Sequence, residues 1–371
     1  MSKEAISYDE GHIQLLTGLE AVRKRPGMYI GSTGERGLHQ LVFEVVGRAV
    51  SEATTVAVTL TSDGGVRVAD DGPGLDFEEL TEIRTGTGPR GRHVALVGLP
   101  TQGLLFTVTA LSSRLRAEVR GDGVRQVRSY THGVALDPAS WSGPAAGSGT
   151  GARRGSWTGS GTGTTVDFWP DPDIFETTQF SFDTLAARLR EVAFLNRELD
   201  LSLSDGQRTE RFHFPGGARD FLAFLEDPTQ ASPLTDAIAF TQEDERMGGS
   251  MEIAFRWSDS GEGRVSGFAN SLFTREGGTH LRGFRDGLAA ALGTLSPGFD
   301  PDRMNAGLTA VVSVKLDDLA LEGATRTRLC NVPVRQCVGQ AVQEHLTAWL
   351  QAHPERAVAL LAQLSRATPR G

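Results

Sequence analysis

Glu44 lies within Gly37 to Ala53, a stretch whose apolar residues Leu38, Leu41, Val42, Val45, Val46, Ala49 and Val50 recur at helical spacing. A carboxylate among such neighbours has chemistry open to it. A carboxylate whose pKa is lifted toward neutral by partial burial can act as a general base. The commoner fate of a helical glutamate is solvation. Arg48 follows at i+4 and can aim a positive charge at Glu44 or at a nearby anion. A second cluster is the run Asp70-Asp71-Gly72-Pro73-Gly74, directly after a strand-like segment. Gly72 and Gly74 permit a tight turn and close backbone approach. Taken alone, such a run usually marks a plain turn. A third cluster, Gly98-Leu99-Pro100-Thr101-Gln102-Gly103, is bounded by glycines, but Pro100 has no N–H to offer an anion.

These groups need elements to hold them. The 371 residues suffice for two ordinary domains, and an apolar content of 39% with mixed charge reads as a soluble globular protein. The net charge of −9 leaves no overall electrostatic footprint for nucleic acid, although a local basic lining would be averaged away. The polar, acidic start MSKEAISYDE is not a signal peptide, and no apolar run approaches membrane-spanning length. Cys330 and Cys337 make neither a disulfide framework nor a zinc site, so a cytoplasmic location is expected.

Strands are expected at Val56 to Leu60 and Val66 to Ala69, split by Asp63-Gly64-Gly65. Residues 84 to 103 read as a Gly- and Arg-rich loop. Residues 141 to 164 read as a Gly/Ser-rich insertion ending where the strand Thr165 to Phe168 begins. A helix over Phe182 to Leu195 and a strand over Leu199 to Leu203 follow. The boundary is placed near Pro215-Gly216-Gly217, giving units 1–214 and 215–371. In the second unit, strands are expected at Met251 to Trp257, Ser266 to Leu272 and Leu308 to Lys315. Helices are expected at Phe221 to Leu225, Leu281 to Leu295, 335–352 and 354–366. Strand, long helix, parallel strand is a crossover unit.

Several long segments, in order, resemble the ATPase end of the B subunit of DNA gyrase and of bacterial topoisomerase IV. They are LEAVRKRPGMYIG (Leu19 to Gly31), DDGPG, GTTVDFWPDPDIFE (Gly163 to Glu176) and RLREVAFLNREL (Arg188 to Leu199). TREGGTHLRGFRDGL (Thr274 to Leu288) and ATRTRLCN (Ala324 to Asn331) continue the match. The resemblance implies an α+β fold: a GHKL-type ATP-binding α/β sandwich followed by a ribosomal-S5-like transducer domain. The family's metal-binding Toprim region has no counterpart in these residues, so cleavage and rejoining of DNA are not expected of this chain alone.

The resemblance also assigns roles. Glu44 matches the general base that polarises the attacking water. Asp70 matches the acceptor of the adenine amine, with Gly72 and Gly74 in its turn, and Thr164 matches a threonine near adenine. Arg48 stands where the family has a magnesium-ligating asparagine, and a guanidinium carries no oxygen ligand. Pro73 replaces an arginine that pairs with the glutamate matching Glu52, so a salt bridge at the pocket rim is expected to be lost. Gly98, Leu99 and Gly103 remain of the phosphate loop, whose other positions have changed. Arg326 takes the place of a lysine that touches the γ-phosphate, Ala324 replaces a second contact, and Tyr8 matches an arm residue reaching the partner subunit. An inhibitor-binding arginine of the family aligns with either Arg125 or Val127.

The resulting expectation is a gyrase-B-like module that binds ATP with weakened affinity and hydrolyses it poorly or not at all. Magnesium binding is doubtful, and no metal ligand is assigned. The expected partners are a second copy of the chain and gyrase or topoisomerase IV subunits, with DNA met only indirectly or through the transducer surface. An active ATPase subunit of a split type IIA topoisomerase and a non-enzymatic regulator or decoy remain open as alternatives.

Overall fold

The computed structural model describes residues 18–82, 105–121, 124–136, 140–142, 161–226, 232–259, 263–323 and 327–366. The described residues open with α1 (Leu19–Lys24), α2 (Gly27–Ile30) and α3 (Glu35–Val50), followed by the hairpin β1 (Thr55–Leu60) and β2 (Val66–Asp70). Next come α4 (Leu105–Ala110), β3 (Ser112–Gly121), β4 (Val124–Thr131), β5 (Val134–Ala135), β6 (Ser140–Ser142) and β7 (Gly163–Pro170). The first half ends with α5 (Phe182–Phe194), β8 (Asp200–Ser204) and β9 (Thr209–Phe212). Its strands form one sheet in the order β5-β4-β3-β7-β2-β1-β8-β9, with β6 beside β4.

Alternation decides how this sheet is covered. Val56 and Val58, Val66 and Val68, Leu115 and Ala117, Val166 and Phe168, and Leu201 and Leu203 all point to one face. There they meet Leu38, Leu41, Val42 and Val45 of α3, Val108 of α4 and Leu185 and Leu189 of α5. The result is a two-layer sandwich with its helices on one side. Arg23 pins α1 to this body, donating to the Ala110 carbonyl at 2.7 Å and to buried Asp171 at 2.6 Å. Asp171 also bonds His132 Nδ1 at 2.8 Å, so the GTTVDFWPD segment anchors the first helix.

The second half holds α6 (Ala218–Leu225), β10 (Ile238–Asp244), β11 (Gly249–Trp257), β12 (Arg264–Ala269), β13 (Leu272–Phe273) and α7 (Thr279–Leu295). It closes with β14 (Leu308–Leu316), β15 (Leu321–Glu322), β16 (Arg328–Leu329), α8 (Val332–Ala352) and α9 (Pro354–Arg366). The larger sheet runs β10-β11-β14-β12-β13. β12 and β14 are parallel, with α7 between them in sequence, which is the expected crossover. Phe284, Leu288 and Leu292 of α7 and Val338, Val342 and Leu346 of α8 fill a separate core with Ile253, Phe255 and Val312.

An aromatic stack joins the two halves: Phe194 lies 3.8 Å from Phe214 and 4.8 Å from Phe221 between ring centroids. Beside it, Lys315 Nζ donates to Asn196 at 2.9 Å, and Asn196 Nδ2 donates to Ser271 Oγ at 3.1 Å. No helix among the described residues is long and apolar enough to cross a membrane. Ser140–Ser142 pairs with β4 at the start of the expected Gly/Ser-rich insertion, and β7 begins at Gly163, where that insertion ends. Residues 143–160 lie outside the described residues.

Candidate functional site

A cleft opens between α3, the turn after β2, and β7. Val45, Arg48 and Ala49 line it from α3 and Glu52 from just past the helix end, Asp70, Gly72, Pro73, Gly74 and Leu75 from the turn, Leu105 from α4, and Thr164 and Val166 from β7. Five of the residues singled out from sequence thus converge: Arg48, Asp70, Gly72, Gly74 and Thr164.

Strand register brings Asp70 and Thr164 together. β2 and β7 pair antiparallel with Asp70 opposite Thr164. The approach is close enough that a Cβ at Gly163 would sit 2.5 Å from the Asp70 carbonyl oxygen. Asp70 Oδ1 accepts the Gly72 amide at 2.9 Å, closing the turn, and Gly74 has φ +118°, where an L side chain is strained. Burial pushes the Asp70 carboxyl above its ordinary pKa, and the amides of Gly72 and Thr164 and the charge of Arg48 only partly offset it. The second aspartate has a different task. Asp71 Oδ1 accepts the Thr54 and Thr55 amides at 2.8 and 2.9 Å, and its other oxygen accepts the Thr54 hydroxyl at 2.8 Å. One carboxylate is held at the cleft while its neighbour fastens the turn to β1.

Arg48 lines the cleft but does not pair with Glu44. Its Nε donates to Glu79 at 2.9 Å, one Nη to Glu52 at 2.7 Å and the other to the Gly74 carbonyl at 3.1 Å. Each guanidinium nitrogen therefore donates to a partner other than Glu44. Burial works against the Arg48 charge, but the bonds to Glu79 and Glu52 prevail and hold its pKa above the usual value. The rim salt bridge expected to vanish with Pro73 is rebuilt from the helix side, since Glu52 keeps a cationic partner in Arg48. Glu79 was missed from sequence: it sits on a short 3-10 turn, Phe77–Leu80, and no spacing rule links it to Arg48.

Glu44 is buried at 1% exposure and accepts Gln40 Nε2 at 3.0 Å. It is not among the residues that line the cleft. Arg125 and Val127 do not line it either, and Arg125 bonds Glu118 at 2.6 Å. Tyr8, Gly98, Leu99, Gly103 and Arg326 lie outside the described residues, as does the rest of the phosphate-loop segment. No group of three or more His, Cys, Asp or Glu suited to a metal ion occurs among the described residues.

The fold is that of a GHKL-type sandwich followed by a transducer unit. Residues 217–370 match the family described as DNA gyrase B. The DNA gyrase B protein of Streptomyces coelicolor is 37% identical over 402 residues, covering 96% of this chain and 57% of the relative. That of Haloferax volcanii is 38% identical over 397 residues, covering 96% and 58%. The 43K ATPase domain of Thermus thermophilus gyrase B, solved with an aminocoumarin, superposes with a TM-score of 0.73 at 31% identity, covering 95% of this chain and 94% of that one. The gyrase B protein of Myxococcus xanthus gives a TM-score of 0.78 at 28% identity, covering 93% and 99%. The chain belongs to the DNA gyrase B family. It spans a little over half the length of the curated relatives it matches.

Proposed function

We infer that this chain is a gyrase-B-type nucleotide-binding module that holds ATP through its adenine base and turns it over weakly or not at all. The reading divides the chain into an ATP-binding unit, 1–214, and a transducer unit, 215–371. Asp70 accepts a hydrogen bond from the adenine amino group, Thr164 donates beside it, and Gly72 and Gly74 let the backbone approach the base. The geometry of the Asp70–Thr164 pair across β2 and β7 supports this half of the reading.

The observation that carries the weak turnover is the ion-paired Arg48. Phosphoryl transfer is accelerated almost entirely by positioning and charge stabilisation, with a metal bridging the phosphates. At the position where the family's asparagine offers an oxygen, Arg48 offers only N–H donors, tied to Glu52, Glu79 and Gly74. The residues present do not fit a magnesium ligand there, so no step is assigned to the metal. Where turnover occurs, Glu44 is the general base and Arg326 the charge stabiliser. Dimerisation through the amino-terminal arm, with Tyr8 reaching the partner's nucleotide, belongs to the same reading.

The test is calorimetric titration with a non-hydrolysable ATP analogue, with and without magnesium. Binding without a metal requirement is expected, and Arg48→Asn is expected to introduce one. Micromolar binding that already depends on magnesium in the unmodified chain would overturn the weak-turnover reading. Absence of binding in both conditions would overturn the nucleotide reading itself.

A further inference from the structure

The first sheet has a second face, opposite the helices. Leu115 and Ala117 of β3 are buried in the core, so Arg114, Arg116, Glu118 and Arg120 alternate outward. Register extends this set across neighbouring strands: Arg67 on β2 and Arg116 both face Asp167 on β7, and Arg120 faces Arg125 on β4. The side chains of Arg67, Arg114, Arg116, Arg120 and Arg125 remain 37–55% exposed.

Three of these guanidiniums converge on one carboxylate. Glu118 accepts Arg125 Nη2 at 2.6 Å, Arg120 Nε at 2.9 Å and Arg116 Nη2 at 3.3 Å. Arg67 bonds Asp167 at 2.6 Å, and Arg114 bonds Asp63 at 2.7 Å. Five arginines thus share three carboxylates, an excess of two positive charges on a chain whose net charge is −9.

We propose that this outward sheet face binds the phosphate backbone of double-stranded DNA. Glu118 gathers three arginines while neutralising only one of them. Guanidinium forks match phosphate oxygens in shape as well as charge. From Arg114 to Arg120 the strand runs about 20 Å at about 3.3 Å per residue.

A protein partner fits this face less well. Stable protein interfaces centre on open aromatic or apolar anchors. The large aromatic here, Trp169, is already covered by the Arg114 guanidinium, 3.7 Å from the ring centroid. The proposal does not depend on the nucleotide reading.

The experiment is fluorescence anisotropy of a short labelled DNA duplex with the intact chain across a salt series. Changing Arg116, Arg120 and Arg125 together to glutamine should reduce the slope of log affinity against log salt by about 2–3, at about 0.9 per phosphate contact. The control triple Arg303→Gln, Arg335→Gln and Arg356→Gln, in exposed ion pairs of the second half, should leave the slope unchanged. Glu118→Gln removes the organising negative charge and should tighten binding. Should the triple variant lose cooperative melting, Arg120→Gln and Glu118→Gln carry the test with opposite signs. An unaltered slope in the outward-face variants, an equal loss in the control triple, or stronger displacement by polyglutamate than by unlabelled duplex at equal charge would overturn the proposal.

Discussion

Replacing Asp70 with asparagine separates binding from folding in this cleft. Burial raises the pKa of the Asp70 carboxyl in the folded chain, so folding favours its protonated form. The stability linked to that proton is fully present below the unfolded carboxylate pKa, about 3.9, and is lost as pH rises through the raised folded value. At neutral pH the ionised, half-buried carboxylate therefore costs the empty protein stability. The amide of the Asp70→Asn variant would carry no charge yet keep an Oδ1 able to accept the Gly72 N–H, which the aspartate accepts at 2.9 Å. The melting temperature of the empty variant is expected to match or exceed that of the unmodified chain. Binding should move the other way. An adenine amino group loses a charge-assisted acceptor worth about 1.5–3 kcal/mol, or about 10- to 150-fold in Kd. Scanning calorimetry of the empty protein and titration with the ATP analogue read the two effects separately. A lower melting temperature with unchanged affinity would refute the reasoning, because it would make Asp70 a structural turn residue only.

Three further outcomes are expected. Arg48→Ala should destabilise by about 1–3 kcal/mol in denaturant titration, mainly by leaving the partly buried Glu79 unpaired. The exposed Glu52 partner contributes only about 0.3–0.5 kcal/mol of that. Gly163→Ala places a Cβ 2.5 Å from the Asp70 carbonyl and should cost about 1–3 kcal/mol together with analogue binding, read by melting and titration. His280 is buried against Thr274 Oγ1 at 3.0 Å, and burial lowers its pKa to about 3. Because the folded pKa is depressed, its stabilising contribution is complete above the unfolded value of about 6.5 and is lost as pH falls toward 3, at up to about 1.36 kcal/mol per pH unit. The fall in melting temperature on acidification should be shallower in His280→Gln, and an identical slope in both proteins would count against this account.

Much of the scaffold was legible because its periodicity is local. Helix α3 begins at Glu35 and ends at Val50, close to the apolar repeat read from Gly37 to Ala53, since one face must meet the sheet. The crossover through α7 follows from a strand, a long helix and a strand in sequence. β10 was not legible. It is an edge strand whose second half, Thr241 to Asp244, is polar, so its alternation is weak. The short strands β5, β6 and β9 were missed for the same want of pattern.

The sequence by itself determined the order of segments, the turn at Gly72 and Gly74, and the change of residue type at position 48. Those are properties of composition and local spacing. Only the tertiary structure decided where the charges went. It set Asp70 opposite Thr164 through strand register, buried Glu44 and sent Arg48 to Glu79 across the turn. A helical i+4 rule places Arg48 within reach of both Glu44 and Glu52, one turn to either side. Which carboxylate an arginine chooses depends on distance and burial in space, and spacing along the chain does not encode either.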